Sequence, residues 1–211
     1  MSMKTFAIIT EADARTLEPG STIVLKPGGH VTPLAVDTLR ERRITVLSNV
    51  VEERLTGLAP VADIKSIAIG SDHSGVALKA TLRDELRHQG LSVIDVGTAT
   101  SDPVDYPDIA GQVARLVARR VVDAGIAIDG AGIGSAIAAN KIRGARAAMC
   151  TTKTLARYSR EHNGANVLTL GATLVTPDEA REIVATWLST PMGEARYIRR
   201  LAKITALEKN Q

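Results

Sequence analysis

The chain has 211 residues, of which 45% are hydrophobic, 23% are charged and only 2% are aromatic. The formal net charge is +3 and no aromatic platform accompanies the basic residues, which argues against a nucleic-acid surface. No apolar run is long enough to span a bilayer, no secretory signal is evident, and the single cysteine, Cys150, has no disulfide partner. We therefore expect a globular protein of the reducing cytoplasm, without membrane contact.

Residues 1–62 differ in pattern from the rest of the chain and are predicted to be a small α+β extension. The predicted elements are a helix over residues 11–17 capped by Thr10, a strand over residues 22–25, a turn at Pro27-Gly28-Gly29, a helix over residues 33–43 and a strand over residues 44–47. A piece of this size cannot bury a large core alone. We expect it to dock on the main domain or on a partner.

Residues 63–211 alternate between strand-like and helix-like stretches. The predicted strands cover residues 66–69, 92–96, 125–128, 145–150 and 166–170, and the predicted helices cover residues 76–88, 108–121, 133–141, 152–161, 177–189 and 193–207. Such alternation is typical of α/β proteins, and right-handed crossovers limit the topology. The sequence therefore predicts a Rossmann- or flavodoxin-like five-stranded parallel sheet with helices on both faces.

The loop after the third of these strands carries the strongest local signal. Gly130, Gly132 and Gly134 alternate directly before an alanine-rich helix. Glycines let the backbone approach a ligand closely, and a helix N-terminus favours an anion. A dinucleotide site would need a carboxylate at the end of the next strand, where residues 149–151 carry none, and no Gly-Lys-Ser/Thr completes a Walker loop. The loop therefore favours a phosphate or oxyanion site, with a plain strand–helix turn as the main alternative and a dinucleotide site as a less favoured one.

Titratable residues follow other predicted elements. Asp72 and His73 come after the first strand, and His162 and Asn163 end the helix behind the fourth strand. We expect both pairs at the same edge of the sheet, although a capped turn and a helix C-cap would also explain them. No further ligands converge at the spacing of a metal site, and no Gly-x-Ser-x-Gly elbow indicates a hydrolase.

Several segments together resemble the ribose-5-phosphate isomerase B family, whose superfamily includes galactose-6-phosphate and allose-6-phosphate isomerases. The segments that carry the resemblance are Ile69-Gly70-Ser71-Asp72-His73-Ser74-Gly75, Asp105-Tyr106-Pro107, Gly130-Ala131-Gly132-Ile133-Gly134, Ile137-Ala138-Ala139-Asn140-Lys141, Ser159-Arg160-Glu161-His162-Asn163 and Ala165-Asn166-Val167-Leu168. The resemblance implies an aldose–ketose isomerase of a phosphorylated sugar, by default ribose 5-phosphate to ribulose 5-phosphate. It also implies a homodimer or tetramer with shared active sites and no metal or organic cofactor.

The resemblance further implies a role for each matching residue. Asp72 and His73 bind the sugar and help to open its ring, and Tyr106 lies nearby. His162 is a ring-opening acid/base that reaches across the dimer, and Asn163 binds hydroxyls. Arg196 and Arg200 bind the phosphate, and the enediolate oxygen is stabilised by the backbone of Gly130, Gly132, Ile133 and Gly134. The two arginines are four residues apart, so a helix places them on one face. Without the resemblance, a solvated helix face would explain the basic cluster equally well.

One position departs from the family pattern in a way that bears on catalysis. Most family members carry a cysteine base just before the glycine loop, where this chain has Asp129, and another branch uses a glutamate at the position of Ser135. Ala131 also replaces a usual Thr or Ser. We hypothesise that Asp129 is the base; the alternative is a helix cap with changed or lost activity. Isomerases of tetrose or hexose phosphates and a non-catalytic sugar-phosphate binding or scaffold protein are therefore alternative functions.

The extension has a resemblance of its own. Residues 23–43, with Thr32-Pro33 at their centre, are similar to a segment of enzymes from ethanolamine-utilisation microcompartments, among them the cobalamin adenosyltransferase. This implies that residues 1–62 recruit the enzyme to components of a bacterial microcompartment.

Overall fold

The computed structural model describes residues 4–48, 58–192 and 195–208. The chain divides into two compact units, Met1–Gly57 and Leu58–Gln211. The predicted boundary lies after residue 62, whereas residues 58–62 group with the larger unit.

The smaller unit is a three-stranded parallel sheet with two helices. Its elements are β1 (Thr5–Ile9), α1 (Glu11–Thr16), β2 (Thr22–Val31), α2 (Pro33–Glu41) and β3 (Thr45–Ser48), in the sheet order β1-β2-β3. Its buried apolar side chains form a core within the unit: Ile9, Ala14, Leu17, Ile23, Ala35, Leu39 and Ile44. Thr10 caps α1 through a reciprocal hydrogen-bond pair with Asp13, as expected for a Thr directly before a helix.

Two features of this unit differ from the sequence analysis. Strand β1 was not predicted, and the predicted turn at Pro27-Gly28-Gly29 is wrong, because these residues lie inside β2. The register between β1 and β2 shifts there, since Leu25 pairs with Phe6 but His30 pairs with Ile8. A Cβ at Gly29 would lie 2.5 Å from the carbonyl oxygen of Ala7. The glycine therefore allows an irregular strand to stay close to its neighbour, without reversing the chain.

The larger unit is a five-stranded parallel sheet in the order β5-β4-β6-β8-β7. Its elements are β4 (Ser66–Ser71), a 3₁₀ turn (His73–Gly75), α3 (Val76–His88), β5 (Ser92–Asp95), α4 (Tyr106–Ala118), β6 (Ala124–Asp129), α5 (Ile133–Ala139), β7 (Ala147–Met149), α6 (Lys153–Glu161), β8 (Val167–Gly171), α7 (Pro177–Ser189) and α8 (Ala195–Leu207). This architecture confirms the predicted α/β fold class.

Helices cover both faces of this sheet. Ile67 and Ile69 pack into one apolar cluster with Leu82 of α3 and Trp187 of α7. Ala68, which lies between them in β4, belongs to the cluster on the other face, with Val113 of α4 and Ala139 of α5. Strands β6 and β8 are buried along their whole length, as expected of parallel strands covered on both faces. In the described ranges, no helix is both long and apolar enough to cross a membrane.

Candidate active site

The first group of predicted site residues gathers at the carboxyl edge of the main sheet, and we call it the carboxyl-edge group. Strands β4 and β6 are neighbours, and the N–H of Asp72, just after β4, donates to the carbonyl of Ile128 near the end of β6. The Asp72 carboxylate accepts from the N–H and the hydroxyl of Ser74. These bonds cap the 3₁₀ turn that begins at His73 and fix it beside the glycine loop.

The loop after β5 brings Tyr106 into the same group. His73 Nδ1 accepts a hydrogen bond from the N–H of Val104 at 3.3 Å. The ring of Tyr106, in the first turn of α4, packs against Gly134, where a Cβ would lie 2.5 Å from two ring carbons. Tyr106 is 40% exposed, so part of its ring is open to a ligand. Asp72, His73, Tyr106 and the glycine loop are thus brought together.

The glycine loop is folded around Asp129, which ends β6 and is 4% exposed. Its Oδ1 accepts from the N–H groups of Ala131 (2.8 Å) and Gly132, and its Oδ2 accepts from the N–H of Ser135 at 2.8 Å. Gly132 has φ 75°, and a Cβ there would lie 2.8 Å from the carbonyl carbon of Leu170. The loop therefore requires glycine at this position, and the Asp129 carboxylate anchors the start of α5.

Two threonines of the neighbouring segment hold the carbonyls of the same loop. Thr169 Oγ1 donates to the Gly132 carbonyl at 2.8 Å, and Thr173 Oγ1 donates to the Gly130 carbonyl at 2.7 Å. Three N–H groups and two carbonyls of the loop are thereby engaged by neighbouring side chains. This makes the loop a rigid platform for a ligand.

The second group lies at the opposite, amino edge of the sheet, so the expectation of a single edge is wrong. Helix α6 begins at the carboxyl edge after β7 and runs back against the strand direction. His162 and Asn163 at its end therefore lie near the start of β8, and Asn163 Nδ2 donates to the carbonyl of Tyr158 at 3.0 Å. We call His162, Asn163 and their neighbours on α8 the amino-edge group.

Helix α8 extends along this amino edge. Its Leu201 packs against Gly164, the residue after Asn163: a Cβ on Gly164 would lie 2.6 Å from a methyl carbon of Leu201. Its far end reaches the loop before β7, where Glu208 accepts a hydrogen bond from the N–H of Gly144 at 3.1 Å. The helix that carries the predicted phosphate ligands is therefore fixed to the same edge as His162.

The imidazole of His162 lies between two tyrosine rings, stacked on that of Tyr158 and tilted by 32° to that of Tyr197. The ring centroids of Tyr158 and Tyr197 each lie 4.6 Å from that of His162. The guanidinium carbons of Arg196 and Arg200 lie 4.6 and 5.7 Å from the centroid of the Tyr197 ring, within the range of cation–π contacts. The structure thus brings the two arginines beside His162, with Tyr197 between them.

Sequence reasoning missed Tyr158 and Tyr197. The signal that could have found them is scarcity: the chain has only three tyrosines, and the third is Tyr106 of the carboxyl-edge group. Tyr158 lies four residues before His162 and Tyr197 directly follows Arg196, so a rare, amphipathic side chain close to a predicted site residue is a reason to include it in the site.

The single thiol of the chain is not a substitute base. Cys150 follows β7 and is buried, and burial raises the pKa of its thiol to about 11. The thiol is therefore neutral at pH 7, whereas a thiolate is the reactive form. Within the described part of the chain, no three His, Cys, Asp or Glu side chains are grouped as a metal site would need.

Comparison with known proteins gives a consistent result. The family model described as Ribose/Galactose Isomerase matches residues 67–204. Ribose-5-phosphate isomerase B of Escherichia coli is 43% identical over 148 residues, covering 70% of this chain and 99% of that protein. D-erythrulose-4-phosphate isomerase of Pectobacterium atrosepticum is 37% identical over 150 residues, covering 69% and 99%. The solved structure of Clostridium thermocellum ribose-5-phosphate isomerase B is 48% identical with a TM-score of 0.68, covering 69% and 98%.

The fold and its strand-end loops, seen with these relatives, define a sugar-phosphate isomerase domain. The chain belongs to the ribose/galactose isomerase family. This membership confirms the predicted class of enzyme. Because the family match begins at residue 67, the Met1–Gly57 unit is an addition to the domain that the relatives share.

Proposed function

We propose that this protein interconverts an aldose phosphate and a ketose phosphate through an enediolate, with ribose 5-phosphate and ribulose 5-phosphate as the default pair. The observation that carries the proposal is the convergence of Asp72, His73, Tyr106 and the glycine loop at one sheet edge, in a chain of this family. The reaction needs a base for a weakly acidic C–H proton and donors for the developing oxyanion. Asp72 and His73 bind the sugar and assist ring opening.

Asp129 is the proposed base. A carboxylate has about four lone-pair positions, and backbone N–H groups occupy three of them here. Two of these bonds go to Oδ1 and one, from the N–H of Ser135, goes to Oδ2. Oδ2 therefore retains a lone pair that can accept the substrate proton. The same bonds hold the carboxylate in one orientation, which favours proton transfer to a fixed acceptor.

A specific observation favours a second candidate function. Of the loop residues expected to stabilise an enediolate oxygen, Gly132 has its N–H bound to Asp129, as do the neighbouring Ala131 and Ser135. If the carboxylate serves only as a cap for α5, the loop offers no base, and the N–H of Gly132 is already engaged. The protein would then bind sugar phosphates without converting them.

We further propose that the active site is completed in a homodimer, or in a tetramer built from such dimers. His162 acts as the ring-opening acid/base, Asn163 binds hydroxyls, and Arg196 and Arg200 bind the phosphate, all in the carboxyl-edge site of the partner protomer. This arrangement is supported by their position at the opposite edge of their own sheet. The arginine pair suits phosphate, because guanidinium donors form a rigid fork.

Exposed apolar side chains beside the carboxyl-edge group also support a dimer. Ile133 is 54% exposed and Ile137, one turn later on α5, is 59% exposed. Apolar residues grouped beside a ligand site are a common mark of a protein interface.

An isomerisation assay over tetrose, pentose and hexose phosphates tests the activity, with binding of each sugar phosphate measured in parallel. We expect turnover with ribose 5-phosphate; the similarity to an erythrulose-4-phosphate isomerase makes a tetrose phosphate the next candidate. Binding without turnover at all three chain lengths would establish the second function. If the protein neither binds nor converts any of these sugar phosphates, both candidate functions are contradicted.

For the extension, we propose recruitment of a cytoplasmic enzyme to a bacterial microcompartment. Support comes from its separate core and from its position outside the family match. A fluorescent protein fused to residues 1–57 should co-localise with shell proteins in cells that form such compartments. Diffuse fluorescence, with unchanged localisation of the enzyme after deletion of the unit, would contradict this role.

A further inference from the structure

Arg146 connects two segments of the larger unit that are far apart in sequence. Its Nε donates to the carbonyl of Gly164 at 2.7 Å, and its Nη2 donates to the carbonyl of Leu58 at 3.0 Å. Gly164 lies in the loop that follows His162 and Asn163. Leu58 precedes β4 and lies outside residues 67–204, which the family model matches.

Arg160 makes a parallel connection and is fully buried. Its Nη1 donates to the carbonyl of Ala165 at 3.0 Å, and its Nη2 donates to the carbonyl of Val61 at 2.8 Å. Its guanidinium carbon lies 4.7 Å from the ring centroid of Trp187. Burial is the larger cause, and repulsion from Arg146 the smaller cause, that lowers the pKa of Arg160 to about 10. The guanidinium therefore stays charged at neutral pH.

Arg160 is fully buried and Arg146 partly buried, and a guanidinium withdrawn from water requires acceptors, because an unpaired charge in a low-dielectric environment is costly. Each arginine here takes one acceptor from the loop after His162 and one from residues 58–61. If the acceptors in residues 58–61 were absent, each arginine would have to turn towards water or other carbonyls. The loop carbonyls would then lose a fixed partner.

We propose that residues 58–61 are a structural arm of the amino-edge group, and that Arg146 and Arg160 are positioning residues that use this arm to hold the loop behind His162 and Asn163. We call the two arginines and their four carbonyl acceptors the carbonyl clamp. The catalytic consequence rests on the proposed role of His162, whereas the clamp is defined by its hydrogen bonds alone. The arm belongs to this chain and not to the segment matched by the family model.

Two shortened chains test the clamp, one starting at Leu58 and one starting at Asp63. The domain exists as an independent protein, since 99% of the Escherichia coli relative is matched by 148 residues of this chain. The chain from Leu58 should keep the full-length thermal midpoint. The chain from Asp63 should lose about 5 °C or more and should show shifted fluorescence of Trp187, the single tryptophan, which contacts Arg160.

The imidazole NMR signals of His162 separate positioning from general stability. Ring currents of Tyr158 and Tyr197 shift these signals, so loosening of the loop should move them in the chain from Asp63 and not in the chain from Leu58. In active protein, kcat should fall roughly tenfold in the chain from Asp63. If neither chain nor the full-length protein shows isomerase activity, the proposed function fails while the spectroscopic comparison still decides the clamp.

A full-length variant keeps the test valid if the chain from Asp63 does not fold. Arg146→Lys retains the charge but cannot donate in two fixed directions, so it should shift the His162 signals. Arg143→Lys is the control, because Arg143 is exposed in the same loop, and it should leave these signals unchanged. The proposal is overturned if the chain from Asp63 matches the chain from Leu58 in thermal midpoint, Trp187 emission and His162 signals. Identical His162 signals in the Arg146→Lys and Arg143→Lys variants would overturn it equally.

Discussion

The carboxyl-edge group and the amino-edge group lie at opposite ends of one sheet and are held by different forces. At the carboxyl edge, the Asp129 carboxylate and the Thr169 hydroxyl bond to backbone groups, so the geometry is set by the main chain itself. At the amino edge, the imidazole of His162 packs between the rings of Tyr158 and Tyr197, while the carbonyl clamp holds only the loop behind it. Backbone bonds fix direction closely, whereas ring contacts tolerate small shifts. We therefore expect the C–H proton transfer at the carboxyl edge, and ring opening by His162 and phosphate binding by the arginines at the amino edge.

The largest expected effect comes from Asp129→Asn. If Asp129 is the base, kcat for the sugar phosphate should fall by about 10²- to 10⁴-fold, while binding of the substrate survives, because Asp72, His73 and the arginines are unchanged. Steady-state kinetics and calorimetric binding measure the two effects. Asp129→Cys, which restores the residue common in the family, should recover part of the lost rate.

Asp123 provides the matched control, because it lies at the other end of the same strand. Its carboxylate, just before β6, accepts from the N–H groups of Lys65 and Ser66 and from the Ser66 hydroxyl. Asp123→Asn therefore removes a carboxylate with a similar set of bonds, away from the proposed chemistry. It should lower the thermal midpoint but keep kcat. Equal activity of Asp129→Asn and Asp123→Asn would mean that Asp129 is only a cap.

The second prediction tests whether the two edges meet between protomers. Asp129→Asn and His162→Asn should each be nearly inactive alone, but mixed and reassociated dimers should regain about a quarter of the wild-type activity, since half the dimers are hybrids with one intact site of two. Mixing Asp129→Asn with Asp72→Asn, which alter the same edge, is the control and should restore no activity. Failure of both mixtures, despite exchange of subunits shown by labelled protein, would place all residues of a site in one protomer.

The third prediction concerns the fit between Tyr106 and the glycine loop. A Cβ at Gly134 would lie 2.5 Å from the Tyr106 ring, so Gly134→Ala must displace that ring. We expect destabilisation by about 1–3 kcal/mol and a higher KM. Gly130→Ala is the matched control, because its Cβ would meet only the Ser74 hydroxyl oxygen, at 3.7 Å. If both variants raise KM equally, the contact with Tyr106 is not what matters for binding.

The order of the main sheet elements could be predicted because each buried parallel strand is an apolar run closed by a turn signal. The end of α3 is marked by Gly90, which has φ 85°, and the start of α7 by Thr176-Pro177. The small unit shows the limit of such signals: the glycine pair before His30 indicates a turn and an irregular strand equally well. Only pairing with a neighbouring strand decides between them.

The candidate site was predictable only in part, for two physical reasons. Asp72 directly follows β4 and Asp129 is the last residue of β6, so their edge is fixed by strand direction. His162 lies one helix length further on, and a helix returns the chain to the opposite edge, which the expectation of a single edge neglected. The ring contact between His162 and Tyr197 joins residues far apart in sequence, and no periodic pattern indicates such a contact. Whether Asp129 points at backbone donors depends on loop geometry that composition does not encode.

The smallest expected effect is on the stability of the fold in acid, and it concerns Asp123, at the opposite end of β6 from Asp129. Burial alone would raise the pKa of Asp123, but the hydrogen bonds from Lys65 and Ser66 outweigh it and hold the pKa below the ordinary carboxyl range. A carboxyl whose pKa is lower in the folded state stabilises the fold above its unfolded pKa, and this contribution is lost as the pH falls through the folded pKa. The Asp123 carboxylate should therefore stabilise the protein at neutral pH and not in strong acid.

Urea midpoints of wild type and Asp123→Asn, measured from pH 7 down to about pH 3, test this expectation. The wild type should be the more stable protein at pH 7, and the difference should shrink steadily below about pH 5, where the unfolded chain begins to bind the proton. A difference that stays constant over this range would mean that Asp123 acts through the shape of its hydrogen bonds and not through its charge. The anchoring of β6 at its amino end would then not depend on ionisation.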